Sequence, residues 1–166
     1  MSTLVQGLSV TLVASLIKTK INLFLATGFG SGYFPKAPGT VGTAVAIIPW
    51  YFLQTLDLYY YSLVILVSSV AGIYICDQAD KAMASHDNKR IVWDEFCGFW
   101  ITMFAIPFSP SALIIGFVLF RFFDIVKPWP IKWIDRNVHG GVGVMSDDIV
   151  AGIISCLCLH LLYALI

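Results

Sequence analysis

The run FCGFWITMFAIPFSPSALIIGFVLF, from Phe96 to Phe120, carries no charged side chain, and Pro107 and Pro110 fall near its middle. One helix needs about 20 apolar residues to cross the hydrocarbon core of a bilayer, so the run is longer than a single crossing requires. Proline cannot donate to the helix ladder, and the run therefore reads as two short helices joined by a tight turn. This reading makes the protein all-α, a polytopic membrane helical bundle.

Three further stretches are long and apolar enough to cross: Ala37–Leu56, Leu58–Cys76 and Ile149–Ile166. With the proline-broken run they give about 4–5 transmembrane helices. The N-terminal stretch Leu4–Phe24 is apolar but contains Lys18 and Lys20, which suits a helix lying along the membrane interface. Residues 1–26 are set apart on that basis. Met1–Ile17 lacks a basic start and a small-residue cleavage pattern, so it reads as retained.

Composition agrees. The chain has 166 residues, room for one domain over 1–166, with 58% hydrophobic and 12% charged residues, far from the balance of a soluble domain. Ten basic and ten acidic side chains cancel, so no long-range field recruits nucleic acid, and any anion site must be local. Cys76, Cys97, Cys156 and Cys158 show no metal-ligand spacing and read as free thiols.

If Ala37–Leu56 runs outward from the cytoplasm, Asp57 lies in an outer turn, and the loops Asp77–Glu95 and Arg121–Asp148 return to the cytoplasmic side. Nineteen of the twenty charges then share one face, including all ten Lys and Arg, which the positive-inside rule assigns to the cytoplasm. Basic loops alone would satisfy orientation. Acidic pairs at helix mouths need another reason.

Three groups of residues carry candidate chemistry. In the first, Thr27 to Thr40, glycines, hydroxyls and Lys36 precede a helix N-terminus, where backbone N–H groups and the helix dipole suit an anion. A plain Gly/Pro turn before a membrane helix explains it equally well, and the order of residues is not that of a Walker A loop. In the second, Asp94 and Glu95 stand together just before the charge-free run, and a helix across this region would bring Asp87, seven residues earlier, to the same side. Carboxylates with water and phosphate oxygens suit Mg²⁺, and ion pairing with Lys89 or Arg90 is the structural alternative. In the third, Arg121 and Asp124 share a helix face at i,i+3. Lys127 precedes Pro128, which predicts an extended residue able to point back. Asp135 and Arg136 follow, His139 lies beside a Gly-Gly turn, and Asp147 with Asp148 opens the last helix, one acid more than capping requires. Asp77 and Asp80 with Lys81 read as a solvated helix end, and His160 as a satisfied core residue.

These motifs look familiar. Gly30-Ser31-Gly32 with Pro35-Lys36-Ala37-Pro38-Gly39-Thr40, Ile91-Val92-Trp93-Asp94-Glu95 with Gly98, and Phe120-Arg121-Phe122-Phe123-Asp124 with Lys127-Pro128-Trp129-Pro130 together resemble the phosphatidylglycerophosphatase A family. So does the closing run Gly140 to Gly152. The resemblance covers about Thr27 to Gly152. It implies a Mg²⁺-dependent lipid phosphatase that removes the terminal phosphomonoester of phosphatidylglycerophosphate, giving phosphatidylglycerol at the bacterial inner membrane. Asn88-Lys89-Arg90 replaces the proline and glycine often found after the first acid of the family motif.

The expected site then has two parts. Asp87, Asp94, Glu95, Asp147 and Asp148 hold one or two Mg²⁺ ions, while Thr27, Lys36, Arg121, Lys127 and Arg136 bind the substrate phosphate. Asp94, Glu95, Asp148 and Asp124 form the catalytic set, one carboxylate serving as base for an attacking water, with an aspartyl nucleophile as the other route. The substrate partner is a phospholipid in the bilayer, approached from the cytoplasmic face. Two alternatives were weighed. A small cation transporter would place charges near the middle of a span, and only His160 stands there. Other lipid-phosphate hydrolases need a histidine nucleophile motif, a Cys-x5-Arg loop or an Asp-x-Asp pair, none of which is present.

Overall fold

The computed structural model describes residues 2–84 and 88–165, with the backbone alone over 2–11. Seven α-helices and one short 3-10 turn account for its regular structure, and no strand occurs among the described residues. The helices are α1 (Ser2–Ala26), α2 (Pro38–Leu53), α3 (Leu58–Ala82), α4 (Trp93–Thr102), α5 (Pro110–Val126), α6 (Ile131–Asn137) and α7 (Gly140–Ala164).

The proline-broken run is the helix pair expected of it. α4 ends at Thr102, and α5 begins at Pro110, where Ser109 accepts a hydrogen bond from the Ala112 backbone N–H at 3.0 Å as its N-cap. At 1.5 Å per residue the ten residues of α4 rise only about 15 Å, half of a hydrocarbon core. Its end is supplied with partners by α7: His160 Nε2 lies 3.0 Å from the Phe104 carbonyl, and the Cys156 thiol lies 3.7 Å from the same oxygen. His160 is therefore not a core residue. It is exposed and satisfies a carbonyl that a broken helix would otherwise leave orphaned.

Two helices, α3 and α7, are both long and apolar enough to cross a membrane. Each differs from its expected bounds. α3 continues six residues past Cys76, into a tail where Lys81 pairs with Asp77 one turn earlier. α7 starts at Gly140, nine residues before Ile149. Glycine is a poor helix former, which favours reading Gly140 to Gly143 as a turn, but close packing overrides the preference. A Cβ at Gly141 would collide with the Ile73 carbonyl of α3, and one at Gly143 with the Val138 carbonyl.

Glycines also set the contact that builds the site. α4 and α7 form the most extensive helix pair, and a Cβ at Gly152 would collide with the Gly98 carbonyl, while one at Gly98 would meet Phe120 and the Asp148 carbonyl. Small residues that let backbones approach are the usual device where lipid supplies no hydrophobic drive between helices. α1 packs against α3, with Asn22 donating to the Ile75 carbonyl at 2.9 Å. The aromatic core of Trp50, Phe96, Phe99 and Phe120 fills the space between α2, α4 and α5. All four cysteines are free, as expected.

Candidate active site

The Gly98–Gly152 contact holds the first turn of α4 beside the third turn of α7, and so places Asp94 and Glu95 opposite Asp148. One ligand oxygen from each of these three carboxylates lies within 4.8 Å of the other two. Asp148 and Glu95 are buried, and Asp94 Oδ1, Glu95 Oε2 and Asp148 Oδ2 are buried with no hydrogen-bond partner. Burial, and then the charge of Glu95, hold the Asp94 carboxyl well above the ordinary carboxylate range. Burial and the charge of Asp148 push Glu95 up to about 8. Three converging acids with orphaned oxygens suit a hard divalent cation, whose preferred donors are carboxylate oxygens.

Cations stand beside the trio. Arg121 reaches from α5 to Asp124 at 2.5 Å, to Thr43 at 3.3 Å and to Glu95 at 3.8 Å, while its Nε is buried without a partner. α2 begins against this group: a Cβ at Gly39 would collide with Glu95 Oε1 and come within 3.1 Å of Arg121 Nη2. Only glycine permits that approach. The N-cap of α2, Ala37, offers no side-chain cap, so its first N–H groups open on the cleft.

Lys127 supplies the second cation. It caps α5 in the left-handed conformation (φ 46°, ψ 60°), not the extended one expected before proline. The left-handed turn sends the side chain back between Asp135 and Asp147, each at 2.5 Å. Burial alone would lower its pKa, but the two carboxylates win and raise it, so the ammonium stays charged. These groups line one cleft of about 950 Å³ at the mouths of α2, α4, α5 and α7.

The expected residues separate accordingly. Asp94, Glu95, Asp148, Asp124, Arg121, Lys127 and Asp147 meet in the cleft. Asp147 is turned to Lys127 and is not one of the converging trio. Asp147 and Asp148 sit in the third turn of α7 and cap nothing. Thr27 is fully buried and donates to the Leu23 carbonyl at 2.8 Å, so it offers a phosphate nothing. Lys36 and Arg136 are exposed and do not line the cleft. Asp87 lies outside the described residues. The helix that would have aligned it with Asp94 does not form, because α4 starts only at Trp93 and residues 88–92 make a turn in which the Arg90 N–H bonds to the Asn88 side chain. The glycine-rich loop is a packing device: a Cβ at Gly32 would collide with the Arg90 carbonyl.

Sequence reasoning missed three participants. Thr43 and Gly39 were unremarked, though they stand at i and i+4 on the α2 face below the expected anion loop. Asp80 was taken as a solvated helix end. It is buried, lines the cleft and accepts the Asn88 N–H at 3.1 Å.

A helical bundle that gathers three uncompensated carboxylates beside an arginine, a lysine and an open helix N-terminus has the make-up of a cation-assisted phosphohydrolase whose cleft opens at the mouths of span-length helices. Comparison with known proteins gives the particular group. The profile of phosphatidylglycerophosphatase A matches residues 24–163, and the chain belongs to that family of phosphatases. Phosphatidylglycerophosphatase A of Escherichia coli K12 is 53% identical over 132 residues, covering 79% of this chain and 77% of that one. The Haemophilus influenzae protein of the same name is 41% identical over 131 residues, covering 78% and 80%. A Bacteroides thetaiotaomicron protein, provisionally named a phosphatidylinositol-3-phosphatase, is 40% identical over 141 residues, covering 80% and 87%. No solved structure matches the chain.

Proposed function

We propose that this enzyme hydrolyses the terminal phosphomonoester of phosphatidylglycerophosphate, releasing phosphate and phosphatidylglycerol, with Mg²⁺ as its cofactor. The observation that carries the reading is the juxtaposition of the Asp94, Glu95, Asp148 trio with Arg121 in one cleft. Family membership supports the substrate, since two relatives are named for it. A bound Mg²⁺, held by Asp94, Glu95 and Asp148, would polarise a phosphoryl oxygen and ease deprotonation of water. The chain's own groups do the rest. Arg121, through Nε and its fork, and the first N–H groups of α2 bind the phosphate and offset charge that develops on it. Lys127 contributes a second positive charge, kept in place by Asp147 and Asp135. Asp124 holds the Arg121 fork in position. A carboxylate of the trio takes the proton of the attacking water.

The placement in the membrane belongs to the same proposal. α2, α3, α5 and α7 cross the bacterial inner membrane, and residues 93–109 cross as a half-length helix followed by a non-helical segment. The cleft then faces the cytoplasm, where the phosphate of an inner-leaflet lipid arrives without leaving the bilayer. The experiment is direct: the purified chain in detergent, phosphatidylglycerophosphate, and phosphate release with Mg²⁺ or with EDTA. Release that depends on Mg²⁺ is expected. Absence of release, or equal release in EDTA, would sink the substrate or the cofactor assignment respectively.

A further inference from the structure

Arg136 does not face the cleft, and its surroundings suggest another occupation. The described tryptophans fall into two sets. Trp50 and Trp100 are buried, whereas Trp129 is 83% and Trp133 58% exposed. Trp129, Trp133 and Arg136 follow one another at i, i+4 and i+7, and Lys132 is exposed beside them. The opposite side of α6 is anchored, since Ile131 is fully buried and α6 packs against α7.

The exposed rings continue a face that belongs to α5. Phe122, Ile125 and Val126 are each more than half exposed at the end of that helix, so the apolar surface runs off α5 and terminates in two indoles and two cations. That order, aliphatic and phenyl groups, then indole, then ammonium and guanidinium, is the order of a bilayer from acyl chains to head groups. Water alone would not favour leaving two indoles uncovered. The one acid on α6, Asp135, is engaged by Lys127 and does not cancel the cations on the outer side.

We propose that the segment Trp129–Arg136 is an interfacial foot that binds an anionic phospholipid surface, the two indoles seated at head-group depth and Lys132 and Arg136 against lipid phosphates. The foot rests on the membrane placement proposed above and adds to it a preference for anionic lipid at a site separate from the cleft. Because Lys127 joins Asp135 of α6 to Asp147 of α7, a seated foot also steadies the phosphate-binding side of the cleft.

The test uses the full chain in vesicles. Tryptophan emission of the parent minus that of Trp129→Phe/Trp133→Phe isolates the two indoles. Phosphatidylcholine brominated near the head group is expected to quench this difference about twice as strongly as lipid brominated near the methyl end, and aqueous iodide only weakly. Quenching by iodide as for free indole, or stronger quenching by the deep bromine, overturns the proposal. In a second arm, Lys132→Glu/Arg136→Glu is expected to raise KM for phosphate release on vesicles containing phosphatidylglycerol by at least about fivefold, with kcat unchanged. In pure phosphatidylcholine the change should stay under about twofold. An equal rise on both surfaces overturns the anionic preference. A parent that releases no phosphate yet shows the quenching pattern would remove the proposed function and leave the foot standing.

Discussion

Asp147 and Asp148 are neighbours in the chain and opposites in the structure. Asp147 is paired with Lys127, which also holds Asp135; Asp148 joins Asp94 and Glu95 with no cation closer than Arg121, whose nearest approach to that trio is 3.8 Å. The basic side of the cleft is thus neutralised by the protein itself, and the acidic side is not. A buried charge with a partner is a structural device. A buried charge without one needs a ligand to answer it.

The contrast can be broken most severely on the acidic side. Asp94→Asn, Glu95→Gln or Asp148→Asn should each lower phosphate release on the order of 10²–10³-fold. The metal-free proteins should at the same time unfold no more easily than the parent, because each change removes repulsion. A variant with full activity would mean that the trio is not the catalytic centre.

On the paired side the balance reverses. Arg121→Ala should cost about 3 kcal/mol of stability by leaving Asp124 and Glu95 without their cation, in addition to a large loss of activity. Thermal denaturation measured beside activity tests this, and an unchanged midpoint would show that the carboxylates do not depend on Arg121. Lys127→Met should reduce kcat about tenfold, and Asp147→Asn in that background should restore part of the lost stability. Strict additivity would refute the pairing.

pH sharpens the comparison further. Glu95 titrates near its ordinary value when unfolded and at about 8 in the metal-free fold, so the fold favours its protonated form. Stability from this group is complete below the unfolded value and is lost as pH rises toward 8. The metal-free denaturation midpoint should therefore fall between about pH 5 and pH 8, and saturating Mg²⁺ should flatten the fall. A midpoint that climbs over this range would contradict an unanswered acidic cluster. The smallest effect is expected at Lys36: Lys36→Ala, away from the cleft, should leave kcat in detergent within about twofold.

Much of the fold was legible because bilayer helices announce themselves by length, apolarity and proline. The α4–α5 break follows from Pro107 and Pro110, and the i,i+3 pairing of Arg121 with Asp124 follows from helical geometry. The early start of α7 was hidden because glycine weakens the local helix signal at the positions where close packing requires it. Lys127 was misread for a related reason: the rule for residues before proline is a preference, and the three-way ion pair fixes the left-handed exception. The places of Thr27 and Asp80 depended on the path of loops around them, on which composition is silent.

The sequence by itself determined that the protein is helical and apolar, that its charges gather at the helix mouths, and that acids stand there in adjacent pairs. Tertiary structure alone decided which acids meet. Adjacent residues on a helix point about 100° apart, so only one of a pair can face a given neighbour. The Gly98–Gly152 contact turned Asp148 toward Asp94 and Glu95, left Asp147 to Lys127, and so divided one run of charge into a place for a cation and a place for a phosphate.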